Sequence, residues 1–87
     1  MMDNEQLVAR IRVGEDEAEN MLRLWQQNKG FIGMMARRYS AGAEMEDLEQ
    51  EGYVGLCEAV QHYDPDRGMS FISYAAFWIK RRMRICA

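Results

Sequence analysis

Residues 46–62 read EDLEQEGYVGLCEAVQH, and the spacing in this stretch decides the fold. Leu48, Gly52, Gly55, Leu56, Ala59 and Val60 recur at the period of a helix and fall on one face. The two glycines on that face let a neighbouring helix pack closely. Asp47, Glu49, Gln50, Glu51 and Glu58 lie elsewhere around the helix, and the acidic first turn suits the helix dipole. Tyr63-Asp64-Pro65-Asp66-Arg67-Gly68 follows as a turn, with Pro pre-set at an early position and Gly to close it. A further helix starts near Ser70 or Phe71 and is still running at the end of the sequence.

On the N-terminal side, Asp3 and Gln6 resemble a capping box, and Leu7, Ile11 and a break at Gly14 mark a short first helix. The helical pattern resumes from Asp16. Ala18, Met21, Leu22 and Trp25, then Phe31, Ile32, Met35, Ala36 and Tyr39, keep the spacing of one helical face. Gly30 and Gly33 each lower helix propensity by about 1 kcal/mol relative to Ala, which predicts a kink or a close helix approach. Ser40-Ala41-Gly42-Ala43 reads as a loop. With one proline, little Thr or Val and many helix formers, the expectation is an all-α domain, a compact bundle of about four helices. A chain of 87 residues fits a single domain over 1–87.

Composition excludes several classes. Apolar residues at 48% and charged residues at 29% give an ordinary globular balance, against disorder. Cys57 and Cys86 are too few for a disulfide framework and match no zinc spacing, so both read as reduced thiols. The eight methionines read as flexible core filling. No apolar run approaches ~18 residues, so no membrane span is expected. The opening MMDNEQ is acidic and polar, unlike a secretory signal, which places the protein in the cytoplasm. His62 is the sole histidine and makes no convincing dyad with Cys57, and the carboxylates show no acid–base pattern. No enzyme activity, metal or cofactor is expected.

Net charge is −3, but the charges are segregated. Residues 1–62 carry six basic and twelve acidic side chains, a net of −6, while residues 63–87 carry five and two, a net of +3. An acidic body with a basic end can serve two partners of opposite charge. In the last helix, Ile72, Ala75, Ala76, Ile79 and Met83 form a core-facing stripe. Phe71, Tyr74 and Trp78 are spaced i, i+3, i+7 on an adjoining face, Phe77 lies beside them, and Lys80, Arg81 and Arg84 follow one turn later. Rings flanked by cations are what single-stranded nucleic acid binding requires, since rings stack on bases while cations track phosphates. The competing reading is a helical protein-interaction module whose rings complete a core. Exposure of Tyr74 and Trp78 separates the two.

The string Asp47-Leu48-Glu49-Gln50-Glu51-Gly52-Tyr53-Val54-Gly55-Leu56, then Ala59-Val60, Tyr63 to Gly68 and Phe71 to Lys80, resembles conserved region two of the bacterial sigma-70 factors. Leu7 to Ile11 with Gly14, and Asn28 to Tyr39, resemble the start of that region. The resemblance implies two partners. Asp47, Gln50, Glu51, Tyr53 and Cys57 would dock on the clamp coiled coil of the large subunit of core RNA polymerase. The last helix would hold unpaired non-template promoter DNA at the minus-ten element. There Tyr74 would stack on a flipped adenine, and Asp64, Arg67 and Ser73 would line its pocket. Phe71 belongs to the same ring face, Phe77 and Trp78 would wedge at the fork, and Lys80, Arg81 and Arg84 would meet phosphates or the last paired bases. An anti-sigma factor is a further partner of this class. Met69, Ile72, Phe77 and Arg81 depart from the residues of primary factors, which points to an alternative or mobile-element factor. The resemblance also implies that the second DNA-recognition stretch is cut short at Ala87 and that the minus-thirty-five module is absent.

Overall fold

Asp3 opens the first helix, α1 (Asn4–Arg12). Its carboxylate accepts the Gln6 N–H at 2.8 Å, and the Gln6 side chain accepts the Asp3 N–H at 2.9 Å. This is the reciprocal box expected from the sequence, in a computed structural model that describes residues 1–87. Gly14 follows α1 with φ +79°, a left-handed conformation that glycine adopts without strain. Asp16 also lies in that region, at φ 44°, where Asp is among the better-tolerated residues. The buried Asn20 amide donates to Glu15 O at 2.9 Å and ties this turn to the next helix.

α2 (Glu17–Arg37) runs without interruption through Gly30 and Gly33. The expected close approach is absent there: a Cβ at Gly30 would meet nothing within 4 Å, and one at Gly33 only Glu49 Oε1 at 4.0 Å. α1 and α2 are joined through a pair of amides. Asn28, buried in α2, donates to Asn4 Oδ1 at 2.8 Å, and Asn4 donates back to Asn28 Oδ1 at 3.2 Å. The Asn28 amide also donates to Leu24 O, so its burial leaves no orphan donor.

α3 (Met45–His62) and α4 (Phe71–Cys86) form the tightest pair, linked by a short 3₁₀ turn, Pro65–Arg67. A Cβ at Gly55 would lie 2.9 Å from both Ile79 Cα and Trp78 O, which are backbone atoms of α4. A Cβ at Gly52 would meet Ile32 Cγ2 at 2.6 Å. The glycine face of α3 therefore admits the α4 backbone itself. One core joins all four helices, with Leu7, Leu24, Ile32, Leu48, Leu56 and Ile79 fully buried. Met35 and Met83 also lie in it, whereas Met1, Met34 and Met69 are exposed. The all-α, four-helix expectation holds.

The buried row of α4 differs from the expected one. Phe71, Ala75, Ile79 and Met83 are fully buried, while Ile72 and Ala76 are only half-buried. The cause is the glycine contact, which centres the helix on Ile79 and selects the i, i+4 row running through it. No helix is long and apolar enough to cross a membrane.

The two kinds of glycine should respond oppositely to alanine. Gly55→Ala is expected to lower stability by about 1–3 kcal/mol, because overpacking against backbone exceeds the ~1 kcal/mol gained in helix propensity. Gly30→Ala, facing open space, should raise stability by up to ~1 kcal/mol. Urea unfolding of the two variants against wild type checks both signs.

Candidate nucleic-acid interface

The end of α3, the connection after it and the first two turns of α4 enclose a recess of about 770 Å³. His62, Tyr63, Asp64, Arg67 and Met69 line it from the α3 side, and Tyr74, Phe77 and Trp78 from α4. Its rings are braced against one another. Trp78 stacks on His62 with centroids 4.9 Å apart and planes 10° from parallel. Tyr74 contacts Tyr63 at 5.6 Å and Trp78 at 6.5 Å. Tyr74 and Trp78 are each half-buried, so neither is wholly absorbed by the core nor free in solvent. Phe77 stands out at 64% exposure.

Phe71 corrects an expectation. Sequence spacing grouped it with Tyr74 and Trp78 as a ring offered to DNA. Its side chain is instead fully buried, packed edge-on to Tyr63 at 5.3 Å, where it anchors the start of α4. Residues 71 and 75 share the core row as readily as residues 71 and 74 share the outer one, and burial decides between them.

The connection is held by contacts that periodicity does not reveal. Tyr63 is buried and its hydroxyl donates to Met69 O at 2.6 Å, closing the loop on itself. Burial raises the Tyr63 hydroxyl above the ordinary phenol value, with the Glu5 and Asp64 carboxylates adding to the effect, so it stays a donor. Asp64 accepts the Asp66 N–H at 3.0 Å and lies 3.5 Å from the Arg67 guanidinium. Gly68 adopts φ +77°, which a side chain would strain. Ser70 caps α4, accepting the Ser73 N–H at 3.4 Å and donating to Ser73 Oγ at 2.8 Å. From α1, the Arg12 guanidinium donates to Tyr63 O, and Glu5 Oε2 accepts the Phe71 N–H at 2.6 Å.

Lys80, Arg81 and Arg84 are exposed and form no ion pair. Arg82 differs. Its guanidinium binds Glu58 at 2.7 Å and reaches Glu51 at 3.8 Å, so it ties α4 to α3. The candidates on α3 consequently divide. Asp47 is exposed, and Gln50 and Tyr53 line a second groove of about 600 Å³ against Ala18, Leu22 and Trp25 of α2, with Tyr53 edge-on to Trp25 at 5.5 Å. Glu51 turns toward Arg82, and Cys57 is half-buried. Burial pushes the Tyr53 phenol and the Cys57 thiol above their ordinary values, so both remain neutral at neutral pH. Helical spacing assigns Trp25 to the α2 core face, and the structure adds that it walls this groove. No group of three or more His, Cys, Asp or Glu side chains converges as a metal site would require.

The family model described as Sigma-70 region 2 matches residues 24–84. The chain belongs to the sigma-70 family. It is 40% identical over 83 residues to an RNA polymerase sigma-C factor of Myxococcus xanthus, covering 94% of this chain and 28% of that protein. It is 50% identical over 54 residues to an RNA polymerase sigma-B factor of the same organism, covering 61% and 22%. An RNA polymerase sigma factor SigA of Bacillus sp is 38% identical over 80 residues, covering 91% and 21%. The chain thus spans less than a third of the length of these curated relatives. No solved structure matches it. Every residue of the recess and of the groove on α3 lies inside the matched sigma-70 segment, except Ala18 and Leu22, whereas Glu5 and Arg12 of α1 lie outside it.

The Arg82 tie has a pH signature. The hydrogen bond from Arg82 holds the Glu58 carboxyl below its ordinary value of 4.5, against the opposing effect of burial. A carboxyl depressed in the folded state contributes stability that is fully present above about pH 4.5 and is lost as pH falls through the lower folded value. Glu58→Gln is expected to cost at most about 1 kcal/mol at pH 7, given how much solvent reaches the pair. The difference from wild type should shrink in unfolding curves recorded below pH 4.5.

Proposed function

We propose that this region 2 domain serves transcription initiation by capturing unpaired bases of the promoter non-template strand at the minus-ten element while docked on core RNA polymerase. The observation that carries the reading is the recess at the head of α4. It is a cavity of about 770 Å³ walled by Tyr63, Tyr74 and the His62–Trp78 stack, with unpaired cations on the next turns of the same helix. A flipped adenine is flat and apolar on its faces and polar on its edge, and such a wall offers both. Tyr74 supplies the stacking face and Asp64 and Arg67 the polar edge. Ser73, which pairs with Ser70 and does not line the recess, lies next to Tyr74 in the chain. Phe77, 64% exposed, wedges at the fork with Trp78, and Lys80, Arg81 and Arg84 meet phosphates.

Docking on the clamp coiled coil falls to Asp47, Gln50, Glu51, Tyr53 and Cys57 of α3. The acidic members set orientation and association rate more than affinity, and the neutral Tyr53 and Cys57 supply contact area. An anti-sigma factor that covered either surface would block the domain. The setting is the bacterial cytoplasm, where both partners reside.

Binding to short single strands tests this, using oligonucleotides with and without the TATAAT pattern. Wild type should prefer the patterned strand. Tyr74→Ala should weaken that binding by about 1–3 kcal/mol, the value of one stacked base, while Gln50→Ala leaves it unchanged. Three free cations predict a log–log salt slope near −2, from about −0.7 per neutralised phosphate. No binding at low salt, even with the clamp coiled coil supplied, sinks the proposal and leaves a helical interaction module.

A further inference from the structure

The first turn of α4 contains no acidic side chain. A helix N-terminus carries unsatisfied N–H groups and a partial positive charge, so a carboxylate there is stabilising. In α4 that carboxylate comes from another element. Glu5 of α1, separated from Phe71 by 66 positions, accepts the Phe71 N–H at 2.6 Å. About two turns further along α1, Arg12 donates to the carbonyl of Tyr63, 51 positions away. The two contacts grip opposite ends of one segment, since Tyr63 ends α3 and Phe71 begins α4. Between them lie Asp64, Arg67 and Met69, which line the recess, and Tyr63 itself forms part of its wall.

We infer that Glu5 and Arg12 are positioning residues for the base-capturing recess, setting the span between the end of α3 and the start of α4 from α1. The inference rests on the proposed base capture. An acidic side chain in the first turn of α4 would give the same capping, but beside a polyanionic strand it would repel phosphates. Carrying the charge on α1 separates the two demands. Glu5 reaches the helix end through the amide of Phe71, a residue whose own ring is buried. Arg12 likewise spends its charge on a backbone carbonyl rather than on the strand.

Glu5→Ala, Glu5→Gln and Arg12→Ala, each in the full 87-residue chain, test this with three readouts on the same samples. Residue-resolved amide exchange should speed up at Phe71 by about tenfold or more in Glu5→Ala, with Ala75 in the helix interior unaffected. The preference for a TATAAT strand over a scrambled one should fall roughly fivefold in Glu5→Ala and Arg12→Ala, and less in Glu5→Gln, which keeps an acceptor without the charge. Binding of the scrambled strand and its salt slope should not move, because no phosphate contact is lost. A purely structural role gives a different pattern, with equal losses on both strands that follow Tm, and that pattern overturns the inference. Unchanged preference in the variants of a wild type that does discriminate also overturns it, and leaves base capture standing. A wild type that does not discriminate removes base capture, and the inference with it.

Discussion

Gly55 and the backbone of α4 at Trp78 and Ile79 lie so close that no side chain fits between them, and much of the rest of the domain follows from that contact. Two helix axes brought this near leave little freedom for α4 to rotate. With Ile79 pressed against α3, the row Phe71, Ala75, Ile79 and Met83 must point inward. The 3.6-residue period then places every other side chain of α4. Tyr74 and Trp78 come to the edge of the buried row, half in and half out, and Phe77 and the cations face solvent. The composition of α3 serves the same end. Its glycines weaken it as an isolated helix by about 1 kcal/mol each, and the packing they permit offsets that cost.

Charge is segregated between the two candidate faces. The acids of α3 and the free cations of α4 belong to neighbouring helices, yet only Arg82 joins them, through Glu58 and Glu51. That network of three residues lines neither the groove shared with α2 nor the recess at the head of α4. It neutralises the one cation of the cluster that would otherwise face α3. Lys80, Arg81 and Arg84 stay unpaired, and with them the positive potential that a nucleic-acid strand would meet.

Local features of the fold were legible in the sequence because their causes are local. The Asp3–Gln6 box, the break at Gly14, the turn from Asp64 to Gly68 and the apolar face of α3 each depend on residues a few positions apart. The family string was equally legible, being carried by side-chain identity. Three things were not. Phe71 was placed on the outer face because spacings of three and four are both neighbours on a helix, and only the Gly55 contact chooses between them. Gly30 and Gly33 suggest a kink or a close approach by composition alone, but a Cβ at either would meet nothing nearer than 4.0 Å, and the tight contacts fall at Gly52 and Gly55. Glu5 and Arg12 were invisible for a third reason: they act on backbone atoms across 66 and 51 positions, and a backbone N–H or carbonyl leaves no trace in residue type.

The bracing of the recess bears on what such a domain can do unaided. Trp78 is already stacked on His62 and Tyr74 already packed on Tyr63, so the rings lose little further freedom when a base arrives. Preorganisation raises affinity for an exposed base but does nothing to expose it. Taking a base out of a duplex costs a few kcal/mol, and one stacking contact returns about 1–3 kcal/mol. The two nearly cancel. Under the proposed reading, the isolated domain therefore holds strands that are already open, and net melting needs free energy from elsewhere. Phosphate contacts by Lys80, Arg81 and Arg84 supply part of it in a salt-dependent way. The remainder falls to polymerase bound at α3, on the far side of the same glycine contact that orients the rings.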